Sequence, residues 1–347
     1  MASSRRYTPD HLRAIVRRLY AAAGAPPHIA RAVAEILVHS NLRGHDSHGV
    51  LHLPRYMAEI EEGSMDPAAE PSVVKETANT LLLDGHDGPG HYTARTGMER
   101  AIDKAKAAEI CRVGFRRIRH IGRLGEYAEM AARAGCVGLV VYSGSGQRIL
   151  PYGGRVGAVG TNPIAVAFPT GDDAPFVLDF ATSAIAVSKM LVAQSKGENL
   201  PEGCIVDKDG QPSVDPEDYF AGGYLCSFGG HKGYAIGLFV NLLAGLAGES
   251  DGEGGLWGTV FLVLDIDSMT PLQDYQQDVR AFLNRVKATP PAAGFDEVMV
   301  PGDFEYRAQV ERREQGIEVP QPICDKIEGW AQKLDVSMGE ETAEDAG

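Results

Sequence analysis

A change in apolar period near residue 66 constrains this chain more than any other feature. Before it, apolar residues recur at helical spacing; after it, they gather into short β-rich runs separated by helical stretches. Thr8-Pro9-Asp10 opens a helix with Leu12, Ile15, Val16, Leu19 and Tyr20 on one face. A second helix follows Pro26-Pro27 with Ile29, Val33, Ile36 and Leu37 in register and should stop near Gly44, and a third spans 53–60. The polar, turn-rich stretch 61–67 links this unit to the next. Beyond it, strands are predicted over 80–83, 111–115, 137–142, 164–168, 176–180 and 259–266, with helices over 92–109 and 126–134. The expected organisation is an N-terminal helical domain over 1–66, joined by C-terminal helices within 272–336, and an α/β domain over 67–271. An acidic tail over 337–347 is expected to be disordered. No internal repeat is present.

Charge and cysteine usage exclude several function classes. Lys plus Arg number 33 against 47 Asp plus Glu, a formal net charge of -14, so no broad field attracts phosphate backbones or anionic lipid, and nucleic acid is not an expected partner. Cys111, Cys136, Cys204, Cys226 and Cys324 include no close pair in sequence, which argues against a zinc knuckle or a disulfide framework. The apolar runs at 137–142 and 260–264 are far too short to span a bilayer, and residues 1–9 carry no secretory apolar core. The expectation is a reduced, cytoplasmic protein with no membrane partner.

Chemistry concentrates where the second helix ends. Asp46-Ser47-His48-Gly49 sets titratable and hydroxyl side chains on a turn, where an imidazole held in a cleft suits proton exchange near neutrality. The plainer reading is a helix-capping Asp-Ser pair beside a solvated histidine. Gly144-Ser145-Gly146 follows a predicted strand, but Ile149 stands where a Gly-x-Gly-x-x-Gly motif needs its third glycine, and Pro151-Tyr152-Gly153-Gly154 follows where a helix should run. An ordinary Rossmann site is therefore not expected. Walker A, His-Glu-x-x-His and Gly-x-Ser-x-Gly sequences are absent too, and no metal ligand set is expected.

Other segments place glycine beside hydrogen-bonding or charged residues: His120-Ile121-Gly122-Arg123, Gly160-Thr161-Asn162-Pro163, Asp179-Phe180-Ala181-Thr182-Ser183, Gly229-Gly230-His231-Lys232-Gly233-Tyr234 and Pro301-Gly302-Asp303. Singly, each reads as a turn. In this order, with Gly44-His45-Asp46-Ser47-His48-Gly49, Pro54-Arg55-Tyr56 and Leu200-Pro201-Glu202-Gly203, they give the chain from about Tyr7 to Leu334 a pattern that resembles the malate/L-lactate dehydrogenase family of the sulfolactate-dehydrogenase-like type. The wording of His120 to Arg123 and of Ala184-Ile185-Ala186 is most similar to its hydroxycarboxylate dehydrogenase B branch.

The resemblance implies NAD- or NADP-dependent interconversion of a 2-oxo acid and a 2-hydroxy acid, on a non-Rossmann mixed-sheet α/β fold, in a homodimer. It makes His48 the acid/base, Ser47 its orienting partner and His120 a second catalytic candidate. It assigns cofactor contacts to Asp179, Phe180, Ala181, Thr182, Ser183, His231, Lys232, Gly302 and Asp303, with Thr161 and Asn162 as neighbours. Arg43, His52, Arg55 and Tyr56 flank the His48 turn and are the candidate substrate contacts, the two arginines being the forks available for a carboxylate. His52 departs from the arginine that many relatives carry there, and the segment 248–255 looks short, so the anchoring of a second acidic group on the substrate is open. Lys189 stands where the cyclic-imine-reducing branch tends to have an acidic residue. That branch's activity is the alternative, ahead of a relative that binds a dinucleotide without turnover.

Overall fold

The computed structural model describes residues 4–144, 146–250 and 255–339. In chain order these form β1 (Ser4–Tyr7), α1 (Pro9–Ala22), α2 (Pro27–Leu42), two single 3-10 turns (Asp46–His48 and Val50–His52), α3 (Leu53–Glu61), β2 (Ser72–Glu76), β3 (Thr80–Asp84) and α4 (Gly90–Ala108). There follow β4 (Ile110–Arg116), α5 (Gly125–Arg133), β5 (Cys136–Ser143), β6 (Ile164–Phe168), β7 (Phe176–Phe180), α6 (Val187–Lys196), β8 (Ile205–Val206), β9 (Pro212–Ser213), α7 (Pro216–Phe220) and β10 (Tyr224–Leu225). The chain closes with α8 (His231–Ala244), β11 (Glu249–Ser250), β12 (Leu256–Asp265), α9 (Leu272–Lys287), α10 (Asp303–Gln315), β13 (Ile317–Pro320) and α11 (Gln321–Lys333).

The main sheet runs β2-β3-β4-β12-β5-β6-β7, with β11 paired to β12. Only β3 and β4 pair in parallel; every other neighbour in this sheet is antiparallel. This is the expected mixed sheet, and it explains the missing dinucleotide fingerprint: no parallel strand-helix-strand unit presents a phosphate-binding turn at Gly144. Ser145, within that segment, lies outside the described residues.

Alternation along β12 shows how the sheet is buried. Phe261 and Val263 join the core beneath α4 and α5, with Phe115, Tyr127 and Val140, while Val260 turns to the opposite face and packs with Val141, Val240 and Ala244 of α8. Phe115 and Tyr127 bracket the Phe261 ring at centroid distances of 4.7 and 5.4 Å. The sheet is thus covered by helices on both sides.

A separate core gathers α1, α2 and α3 with Ile317, Val319, Cys324 and Ile327, so β13 and α11 close the N-terminal unit while β1 pairs with β13. Helix α9 sits elsewhere: Leu272 packs on Gly135, and Arg280 reaches Thr170 and Asp172 on the β6–β7 connection. Helix α2 is buried nearly all round, because Ile29, Val33 and Leu37 face the helical core while Ile36 enters the core of the sheet. It is therefore a rigid strut between the units, and the His48 turn hangs from its end.

Residues 337–339 are held against α1, where His11 Nε2 lies 2.8 Å from the Met338 carbonyl and Arg18 donates to the carbonyls of Ser337 and Gly339. The rest of the expected tail, 340–347, lies outside the described residues, as do 251–254 of the short segment before β12. No helix among the described residues is long and apolar enough to cross a membrane.

Candidate active site

Gly44 takes φ +81°, a conformation L side chains rarely adopt, and so reverses the chain after α2. Two elements then pin the turn. Buried Asn41 accepts from Val50 N at 2.9 Å and donates to Asp46 at 2.7 Å, and Arg312 of α10 grips the Asp46 carboxylate at 2.7 and 2.9 Å. Asp46 is thereby spent on architecture, which leaves Ser47 to engage the imidazole, its Oγ 3.0 Å from His48 Nδ1.

Around His48 the fold assembles four imidazoles and a phenol. The His48 ring stacks 5.9 Å from His120, His52 lies 5.0 Å from His120 and 6.4 Å from His48, and His91 lies 6.2 Å from His120, all between centroids. The hydroxyl of buried Tyr56 hydrogen-bonds with His120 Nδ1 at 2.6 Å. Burial raises the pKa of its phenol and keeps it protonated, so the hydroxyl remains both a donor and an acceptor toward the ring. The Ile121 carbonyl next to His120 accepts from Tyr127 at 2.6 Å. Among the described residues no carboxylate hydrogen-bonds to any of the four rings.

That lack of a counter-charge sets the electrostatics. Burial first, then the charges of His45, His52 and Arg123, push His48 down to about 4. Burial and the neighbouring imidazoles take His91 to about 3 and hold His120 well below the ordinary histidine value. His52 is lowered by burial and Arg55, against the Ser47 carbonyl and Glu59, which raise it. At neutral pH the cluster is uncharged. His48, His52 and His120 keep part of their surface exposed, whereas His91 is buried with Nε2 unpartnered.

A buried ion cluster fixes the spacing. Arg43, just after α2, and Arg123, just after the His120 loop, both clasp Glu129 of α5. Burial raises the Glu129 pKa, but the two guanidinium groups outweigh it and hold the carboxylate at about 2. Arg43, one of the expected substrate contacts, is placed by the fold on Glu129. It is 3% exposed and pairs with Glu129, because a desolvated guanidinium needs a buried partner. Arg55 is exposed on α3 and pairs with Glu59 at 2.7 Å.

The candidate cofactor residues fall into two groups. Several side chains serve the fold: the Asp179 carboxylate accepts from Gly125 N at 2.8 Å where α5 begins, Asn162 donates to the Gly237 carbonyl at 2.9 Å, Thr182 donates to the Thr161 carbonyl at 2.9 Å, and Asp303 accepts from Val300 N at 2.9 Å and pairs with Lys287 at 2.7 Å. Phe180 packs edge-on against Phe228 at 5.3 Å, next to Ala181, and Ser183 bridges to Ser227. The second group is open. Gly229 and Gly230 take φ +56° and +63°, and α8 begins with no side-chain cap and with His231 and Lys232 exposed in its first turn. Unsatisfied amides, the helix dipole and a lysine together suit a phosphate. Beside them a cavity of about 570 Å³ is lined by Tyr152, Glu202, Cys204, Cys226, Phe228, Gly230 and their neighbours. Gly302 lies apart, at the start of α10 against Pro175 and Val177.

Sequence reasoning missed His91 and Glu129. His91 follows Gly88-Pro89-Gly90 at the start of α4, the same glycine-plus-imidazole signal as His120-Ile121-Gly122, and could have been found. Glu129 sits within an unremarkable amphipathic helix and carries no such mark.

Known proteins share this arrangement of elements. The sequence model described as malate/L-lactate dehydrogenase matches residues 7–328. L-lactate dehydrogenase of Cupriavidus necator is 36% identical over 94% of this chain and 97% of its own length. The solved sulfolactate dehydrogenase of Methanocaldococcus jannaschii superposes with a TM-score of 0.90 at 30% identity, covering 96% of this chain and 98% of that one. Malate dehydrogenase from Entamoeba histolytica gives a TM-score of 0.91 at 25% identity, covering 96% and 99%.

Proposed function

The chain belongs to the malate/L-lactate dehydrogenase family, and on that premise we propose that it interconverts a 2-oxo acid and a 2-hydroxy acid with a nicotinamide dinucleotide, His48 acting as acid and base. The observation that carries this reading is the counter-charge-free imidazole cluster, with Ser47 on His48 Nδ1 and Tyr56 on His120 Nδ1.

The residues present fit a dinucleotide. The uncapped start of α8, with Gly229, Gly230, His231 and Lys232, would hold a pyrophosphate beside the cavity. When bound, a nicotinamide supplies or accepts the hydride.

His48 handles the proton. With Nδ1–H donating to Ser47 Oγ, Nε2 is bare and takes the hydroxyl proton of a 2-hydroxy acid; protonated, the same nitrogen donates to the carbonyl oxygen of a 2-oxo acid. With Tyr56 donating to Nδ1, His120 Nε2–H donates a hydrogen bond to the same oxygen as negative charge develops there. His52 and the exposed Arg55 are the groups left for the substrate carboxylate once Arg43 is committed to Glu129. The homodimer expected by resemblance is supported by an exposed apolar stripe on and just beyond α8: Phe239, Leu242 and Leu246 are 50%, 66% and 72% exposed at helical spacing.

The test is reduced-nicotinamide absorbance with NADH or NADPH against pyruvate, oxaloacetate, phenylpyruvate and 2-oxoglutarate, beside a cyclic imine carboxylate. Cofactor oxidation with a 2-oxo acid is expected. Oxidation with the imine alone would replace this reading by the ketimine reductase alternative.

A further inference from the structure

Cys204 and Cys226 lie 22 positions apart in sequence, yet the fold sets them face to face. In the small antiparallel ribbon β10-β8, Tyr224 pairs with Val206 and Leu225 with Ile205. One step further along the same register is the pair Cys226 and Cys204, and Cys226 N donates to the Cys204 carbonyl at 2.9 Å. Directly opposed residues of an antiparallel pair put their side chains on the same face, with Cα atoms about 5.5 Å apart where the pair is hydrogen-bonded. Both side chains line the 570 Å³ cavity, Cys204 nearly buried and Cys226 half-buried. Two free thiols therefore share one wall of one opening.

We propose that Cys204 and Cys226 form a two-thiolate binding site for a soft, two-coordinate cation of the Cu(I) or Hg(II) type. The ligand count selects the ion. Among the described residues no group of three or more His, Cys, Asp or Glu side chains is placed to share a metal, so zinc lacks its four ligands and hard cations their oxygen cage. Two opposed thiolates suffice for a thiophilic ion that favours a linear pair of sulfur ligands. As each metal–sulfur bond forms, its thiol loses a proton, so two protons leave per cation and no electrons change hands. Both thiols are held above the ordinary cysteine value by burial, and Cys226 is raised further by Cys204, so protons compete with the metal and affinity falls as pH falls. None of this depends on the reading of the imidazole cluster.

The experiment titrates the reduced, full-length protein with mercuric chloride, reading bound mass by native mass spectrometry, thiolate-to-mercury absorption and proton release. Cu(I) follows by competition with a chromogenic chelator. The expected result is one tight equivalent with two protons released, weakened at least about 100-fold in Cys204→Ser and in Cys226→Ser but unchanged in Cys111→Ser. Alanine at each position, with circular dichroism and thermal unfolding, separates ligand loss from misfolding. X-ray absorption of the first equivalent should show two sulfur neighbours. Unaltered binding in folded variants of both cysteines, or a single sulfur neighbour in the wild type, overturns the proposal.

Discussion

At the scale of single residues, protonation of His48 governs the proposed reaction. A folded pKa of about 4 means that the free enzyme carries neutral His48 across the physiological range. For oxidation, where His48 must accept a proton, kcat/KM should stay flat from neutral pH down to about 5 and fall only as pH passes through about 4. For reduction, where it must donate, kcat/KM should fall roughly tenfold per unit of rising pH above that value. Initial-rate profiles in both directions check the pair; a reduction profile level through neutrality would refute a depressed pKa. Ser47→Ala frees the wrong tautomer, so kcat should drop about 10- to 100-fold with KM little changed, as steady-state kinetics would register. The His48 turn was legible in sequence because glycines mark it on both sides. The pairing of Arg43 was not legible because its partner, Glu129, lies 86 positions away, and no local pattern announces a pair closed by tertiary packing.

Elements with a clear apolar period were legible, and those whose period is blurred or absent were not. Helices α1 and α3 carry a single apolar stripe, and β6 and β7 fall where alternation places them. Helix α8 escaped notice because glycines at 233 and 237 and apolar residues on nearly every side blur its period, although its N-terminus is the candidate phosphate site. Strand β2, exposed along its whole length, has no buried face to mark it. Two elements meet at Glu129, and the clasp makes a stability prediction. Glu129→Gln leaves two buried guanidinium groups without their counter-charge and should cost about 3–5 kcal/mol in chemical denaturation. Arg312→Met removes the part-exposed pair of α10 with Asp46 and the bond to the Asn41 carbonyl, so it should cost about 1 kcal/mol. Because that pair also orients the turn, kcat should fall out of proportion to the lost stability.

At the scale of the whole molecule, the imidazole cluster is a liability in acid. His48 and His91 have folded pKa values of about 4 and 3, below the unfolded value of 6.5, so the unfolded chain binds more protons once pH drops below 6.5. The stability from keeping these rings neutral is complete above about 6.5 and is lost progressively as pH falls toward the folded values. Thermal unfolding followed from pH 7 to 4 should show this as a falling Tm, and replacing His91 with Gln should flatten that slope. The stripe on α8 predicts self-association: Leu242→Glu should convert a dimer to a monomer in light scattering, while a wild type that is monomeric at all concentrations removes the dimer from the account. The central claim is narrower, and one comparison addresses it. Purified His48→Ala and wild type would be followed by reduced-nicotinamide absorbance with the active 2-oxo acid, with cofactor affinity read in parallel by fluorescence. The account predicts about a 10²- to 10⁴-fold loss of turnover with cofactor affinity nearly intact; equal turnover in the variant would contradict it.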